Sequence, residues 1–350
     1  MSELIVDKEF CMSSYLMYRY VYDPSRCFYV DRPCRQASLA FNRTPVGTVD
    51  ELLEVLKRIT DDAYSKKSCA LALSGGIDSA ILASLVPKGT KAYTFRCVVP
   101  GVSVTDESET AAVWAKINML DHEVIDINWD DLCRAAEKCM MHKNAPIHSI
   151  EGQIYLAAEK AAADGIGGIV FGENADIIYG GMDGLLAKDW TYGEFVDRYT
   201  YVMPYKVLRW FKMPMEPYRT LCEGGCIDGY DFTNVYFRQE ALGTYVNACE
   251  TAGVEFVGPY SQTMLQGGLD LGRVRNGDTK YLVRELFSKL YPDYTAPTKI
   301  PMPRPMDQWL GVWEGPKRPE FIENCVKGMS GDQRWMIWSL ERYLDMMEGE

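Results

Sequence analysis

An apolar run, Cys69 to Leu73, leads directly into Ser74-Gly75-Gly76-Ile77-Asp78-Ser79, and residues 78–86 then carry helical spacing. A short apolar run closed by glycines predicts a strand buried on both faces, as in parallel sheets. A strand that turns through glycines into a helix commits the chain to a layered α/β fold, because the helix must pack back on the sheet. The turn is also an anion site. Gly75 and Gly76 lack Cβ atoms, so the backbone can turn sharply and approach a ligand closely. Their N–H groups and the hydroxyls of Ser74 and Ser79 can donate to phosphate oxygens, and the helix start adds partial positive charge. Asp78 would repel a bare phosphate, so its presence points to Mg²⁺ between carboxylate and phosphates. The loop has no Gly-Lys-Ser/Thr ending and is not a Walker A loop.

The surrounding pattern agrees. Thr48-Val49-Asp50-Glu51 predicts a capping box, followed by Leu52, Leu53, Val55, Leu56 and Ile59 at helical spacing. Further strands are expected at Ala92 to Phe95, His122 to Asp126 and Gly168 to Phe171, separated by helical stretches. The predicted fold is therefore α/β, a parallel sheet with helices on both faces. Ligands of such sheets bind at the carboxyl ends of the strands. The strand exits at 74–79 and 172–176 fall on that edge, so Ala72, Leu73, Phe95 and Gly172 join the loop in the expected nucleotide-binding set. Three parts are expected: an N-terminal extension (1–45), the α/β core (46–185), and a mostly helical, aromatic-rich part (186–350) that packs on the core and completes the site.

Composition excludes several classes. Lys and Arg number 37 against 49 Asp and Glu, a net charge of −12, which argues against a nucleic-acid partner. No apolar run approaches a membrane span and the N-terminus lacks a secretory pattern, so a cytoplasmic protein without membrane contact is expected. The 11 cysteines are odd in number and irregular in spacing. Cys222 and Cys226 alone make a poor zinc site and are expected to be reduced thiols. Asp106, Glu107 and Glu109 are expected to be a solvated helix start, and His148 a neighbour of a helix cap.

Three motifs carry a family resemblance. Leu73 to Ser79 looks like the signature of the N-type ATP pyrophosphatases. Phe171-Gly172-Glu173-Asn174-Ala175-Asp176-Ile177-Ile178-Tyr179-Gly180-Gly181 resembles the asparagine synthetase pattern Gly-Glu-Gly-x-Asp-Glu-hydrophobic-Phe-Gly-Gly. Lys280-Tyr281-Leu282-Val283-Arg284-Glu285 is similar to the family's Lys-x-x-Leu-Arg-x helix. In the same third stretch, Pro297-Thr298-Lys299, with Pro305 and Trp309-Leu310 downstream, resembles its Arg-x-Lys segment. The resemblance to the asparagine synthetase and β-lactam synthetase family implies cleavage of ATP to AMP and pyrophosphate, with adenylation of a small-molecule carboxylate. Ammonia or an amine, supplied free or by a separate glutaminase, then attacks. It implies Mg²⁺ at Asp78 and Asp176, and catalytic roles for Glu173 and Lys299. Glu173 stands where β-lactam synthetases carry tyrosine, which favours amidation over ring closure. Residues 13–24 look like the segment that links glutaminase and synthetase domains, and the glutaminase domain itself is expected to be missing. Asn174 in place of glycine, Ile177 in place of an acid, and Ile300-Pro301-Met302-Pro303 after the lysine are departures near the acceptor. Plainer alternatives are Asp176 as a helix cap, Glu173 as a first-turn acid and Lys299 as a surface lysine. At the level of function they are a lactam-type synthetase or a non-catalytic ATP-binding subunit.

Overall fold

The computed structural model describes residues 4–37, 42–298, 300 and 302–349. Helix α1 (Lys8–Tyr18) is followed by α2 (Val49–Lys66), then strand β1 (Cys69–Ala72) and helix α3 (Ile77–Ala83). Next come β2 (Lys91–Cys97), α4 (Ser108–Asn118), β3 (Asp121–Ile127), α5 (Trp129–Lys143) and α6 (Ser149–Ala163). The chain continues through β4 (Gly168–Val170), α7 (Ala175–Ile178), α8 (Arg238–Ala252), β5 (Glu255–Val257), α9 (Tyr281–Leu290) and α10 (Gly331–Glu348).

The five strands form one parallel sheet in the order β5-β4-β1-β2-β3. Both faces are covered, and the burial of β1 shows how. Cys69, Leu71 and Leu73 join a layer with α2, α3, α4 and α9, whereas Ala70 and Ala72 join the opposite layer with α1, α5, α6 and α10. Alternate side chains thus feed two cores, which is why the run reads as continuously apolar. The capping box of α2 is present: Glu51 N–H donates to Thr48 Oγ1, and the Glu51 carboxylate accepts from the Thr48 and Gly47 amides. Its apolar stripe, Leu52, Val55, Leu56 and Ile59, is buried on the sheet, at roughly 1.5–3 kcal/mol for each large side chain.

Two elements depart from the expected division. The sheet does not stop at position 185: Glu255–Val257 adds the edge strand beside β4. At three residues that strand is too short to leave a periodic signal. Within the N-terminal extension, Phe10 to Tyr18 of α1 are all buried and so belong to the core. A helix buried all round shows no amphipathic stripe, hence the weak periodicity of its sequence.

Chain order places the site. From β1 the sheet grows outward through β2 and β3, and β4 then returns to the other side of β1. The crevice between the carboxyl ends of β1 and β4 is the topological switch point, where open α/β sheets bind ligands. The loops at 74–79 and 171–176 leave from these two neighbouring strands.

Candidate active site

The loop after β1 is knitted together by its two serines. Ser74 N–H donates to Ser79 Oγ at 3.1 Å, the two hydroxyls lie 2.9 Å apart, and Gly76 N–H donates to Ser74 Oγ at 3.1 Å. Ser79 Oγ also lies 3.2 Å from the carbonyl oxygens of Ser74 and Gly76. The hydroxyls expected to face phosphate therefore shape the loop. Neither Gly75 nor Gly76 is among the glycines with positive φ. What Gly75 supplies is space: a Cβ there would come 3.1 Å from Thr110 Cβ and 3.3 Å from Glu107 Oε1. Trp114 Nε1 donates to the Gly75 carbonyl at 3.1 Å, and Thr94 Oγ1 to that of Leu73 at 2.6 Å, tying the loop to α4 and β2.

The second loop meets the first at Gly172. Asn174 then adopts φ +74°, a left-handed conformation that asparagine tolerates better than most residues, where the family carries glycine. Asn174 is the N-cap position of α7, so Asp176 sits in the first helical turn and is not the cap. Gly181 is required by closeness: a Cβ there would collide with the Asp176 carboxylate and come 2.6 Å from Lys280 Cδ.

Both loops line one cavity of about 230 Å³. Ala72, Leu73, Ser74, Gly76, Asp78 and Ser79 face it from β1 and its loop, and Phe95 from β2. Gly172, Glu173 and Asp176 face it from the β4 side. Gly75 does not line the cavity; its Cα is turned toward Glu107 and Thr110. Lys299 lies outside the described residues, although Pro297, Ile300 and Met302 from its segment form part of the wall.

Sequence reasoning does not single out Lys280, yet it stands at the centre of the charge arrangement. Its Nζ lies 2.5 Å from Asp78 Oδ1 and 3.2 Å from Asp176 Oδ1, and the side chain is only 7% exposed. Burial alone would depress its pKa; the two carboxylates outweigh this and hold the ammonium above the ordinary lysine value. Its backbone is left-handed at φ +54°, immediately before α9. The motif match at 280–285 held the signal, since its lysine precedes the helix and points into the cleft. Arg284, four residues on, also lines the cavity.

The half-buried carboxyl of Glu173 is pushed up to about 7 by burial, against the opposing pull of the Asn174 amide and the Tyr245 hydroxyl. Tyr245, from α8, is itself raised by burial and by Glu173. A carboxyl titrating near neutrality can take a proton from an incoming amine and return it. Glu107 also departs from expectation: it lines the cavity, and its carboxyl is pushed up to about 7 by burial, with the Gly75 amide opposing.

Asp78 and Asp176 offer hard oxygen ligands on one wall. Among the described residues there is no group of three or more His, Cys, Asp or Glu side chains placed to hold a metal. Mg²⁺ typically takes one or two protein carboxylates and fills its remaining positions with water and phosphate. The pair therefore suits Mg²⁺ arriving with a nucleotide. All 11 cysteines are free thiols, with Cys222 and Cys226 on facing strands of a small hairpin. Among the described residues no helix is long and apolar enough to cross a membrane.

Comparison with protein families gives one result: the model described as Asparagine synthase matches residues 51–223. No curated protein matches the chain. The matched span runs from α2 through both glycine loops, the part of the fold that builds the switch-point cavity. Residues 51–223 thus match the synthetase domain of the asparagine synthetase family, ATP-dependent synthetases that form amide bonds.

Proposed function

We propose that the chain adenylates a carboxylate with ATP, releases pyrophosphate, and transfers ammonia or an amine to the acyl group. The observation that carries this reading is that the loop after β1, the loop after β4 and Lys280 line a single cavity of about 230 Å³. The ATP phosphates lie along 74–79, near the start of α3. Asp78 and Asp176 would hold Mg²⁺, which supplies charge neutralisation to the phosphates when bound. Lys280 keeps the two carboxylates from repelling each other and offers a cation to the pyrophosphate.

A carboxylate oxygen of the acceptor attacks the α-phosphorus. A new C–O–P linkage forms, the Pα–O bond to the β-phosphate breaks, and pyrophosphate departs. The nitrogen nucleophile then adds to the acyl carbon, and Glu173 takes the proton it must lose. Collapse of the tetrahedral intermediate breaks the acyl C–O bond, releasing AMP and the amide. The family resemblance assigns Lys299 to the charge on the pyrophosphate and on this intermediate.

Carboxylate labelled with ¹⁸O tests the reading. Acyl-adenylate formation transfers one labelled oxygen to AMP. Label found in phosphate or water, with none in AMP, would exclude attack on the α-phosphorus.

A further inference from the structure

Glu107 is the acid in the cavity that this reaction scheme leaves without a role. It sits at the N-cap position of α4, yet its side chain makes no capping hydrogen bond. That work falls to Asp106, which accepts the Ser108 amide at 2.7 Å and the Ser108 hydroxyl. The Glu107 side chain turns instead onto the phosphate-type loop. A Cβ on Gly75 would lie 3.3 Å from both Glu107 Cβ and Glu107 Oε1, so Glu107 stands beside the loop on the side where Gly75 carries no side chain. The Gly75 amide opposes the upward push of burial on this carboxyl.

The loop's amides make the position informative. Those of Ser74 and Gly76 are committed within the loop, to Ser79 Oγ and Ser74 Oγ. The Gly75 amide favours the charged form of the Glu107 carboxyl, while the carbonyl of the same residue is held by Trp114 Nε1 at 3.1 Å. Helix α4 therefore grips the loop from behind and sets an anionic oxygen against one of its donors. A pyrophosphate seated on the loop meets this like charge and competes with it for that donor.

We propose that Glu107 weakens the hold of the loop on pyrophosphate and so drives product release. The inference rests on the reading of 74–79 as the nucleotide phosphate site. It makes Glu107 a residue that acts against bound product, unlike a metal ligand or a phosphate donor, whose loss weakens binding.

The probe is magnesium pyrophosphate, titrated calorimetrically at pH 8, where the carboxyl is ionised. Glu107→Gln replaces the charge with a neutral group of the same shape, and Glu107→Ala removes the side-chain oxygens altogether. Both are expected to tighten pyrophosphate binding by roughly five- to tenfold, the scale of one anion–amide hydrogen bond formed in a partly wet site. Inhibition by pyrophosphate in turnover should strengthen by the same factor. Asp106→Asn, which alters only the cap, should leave both unchanged, a distinction that a general loosening of α4 would erase. Unchanged or weaker pyrophosphate binding in Glu107→Gln and Glu107→Ala would overturn the proposal and leave the adenylation reading standing. Failure of the wild-type chain to bind either magnesium pyrophosphate or Mg-ATP would overturn both.

Discussion

Gly172 packs so tightly on Asp78 that a Cβ at position 172 would lie 3.1 Å from Asp78 Cβ and 3.3 Å from the Ser79 amide nitrogen. The two loops of the site, nearly a hundred residues apart in sequence, are held together by the absence of one methyl group. The obstruction is partly backbone, so no rotamer change relieves it. Gly172→Ala is expected to cost about 1–3 kcal/mol in stability, the usual scale of overpacking, and to weaken Mg-ATP binding as the loops separate. Denaturant unfolding and nucleotide titration of one purified variant check both effects.

Lys280 supplies a second prediction. Lys280→Met leaves Asp78 and Asp176 facing each other without their shared ammonium. The variant should melt at a lower temperature than wild type, and added Mg²⁺ should raise its melting temperature more than that of wild type. The pH dependence has a definite sign. Because the folded-state pKa of Lys280 is raised, its contribution is fully present below the unfolded lysine value, about 10.4, and fades as pH rises through the higher folded value. Stability curves of wild type and variant should therefore converge in strong alkali.

For Glu173, a folded pKa of about 7 predicts that amide formation rises with pH through that value. Glu173→Gln should lose amide formation while retaining carboxylate-dependent ATP–pyrophosphate exchange, because only the second half-reaction needs the base. In stability the sign is reversed from that of a paired carboxylate. The folded state holds its proton above the ordinary glutamate value of 4.5, so this contribution is complete below that pH and is lost as pH rises to about 7. The Glu173→Gln variant should lack that decline.

The loop 74–79 can be read in the sequence because a strand, two glycines, two hydroxyls and an acid occur within a few positions. The loop at 172–181 can be read by motif, and the geometry supplies the reasons for its glycines: closeness to Asp78 at 172, and to Asp176 and Lys280 at 181. Lys280 falls in a motif, but its role escapes such reading because nothing local marks a lysine as buried; its partners lie about 100 and 200 positions away. Glu107 reads as solvated because two neighbouring acids at a helix start look alike in sequence, and only packing separates the capping one from the one facing the loop. The strand at Glu255–Val257 and the buried helix Lys8–Tyr18 lack the periodicity on which such reading depends.

Away from the cavity, Glu151 is fully buried and pairs with Lys143 Nζ at 2.9 Å. The Asn247 side-chain amide donates to its other oxygen. Burial pushes the Glu151 carboxyl upward, with Lys143 and Asn247 opposing. Lys143→Met should cost about 3–5 kcal/mol, since it leaves a buried charge without its counterpart. Adding Glu151→Leu should recover much of that loss, and a double-mutant cycle in denaturant measures the recovery.

The central claim is tested most directly by following the phosphorus products by ³¹P NMR. The chain would be incubated with Mg-ATP, ammonium and a panel of carboxylates that includes aspartate, other amino acids, sugar acids and small peptides. AMP and pyrophosphate are expected in equal amounts, dependent on one carboxylate, and lost in both Asp78→Ala and Lys299→Ala. ADP and phosphate as the products would contradict the claim.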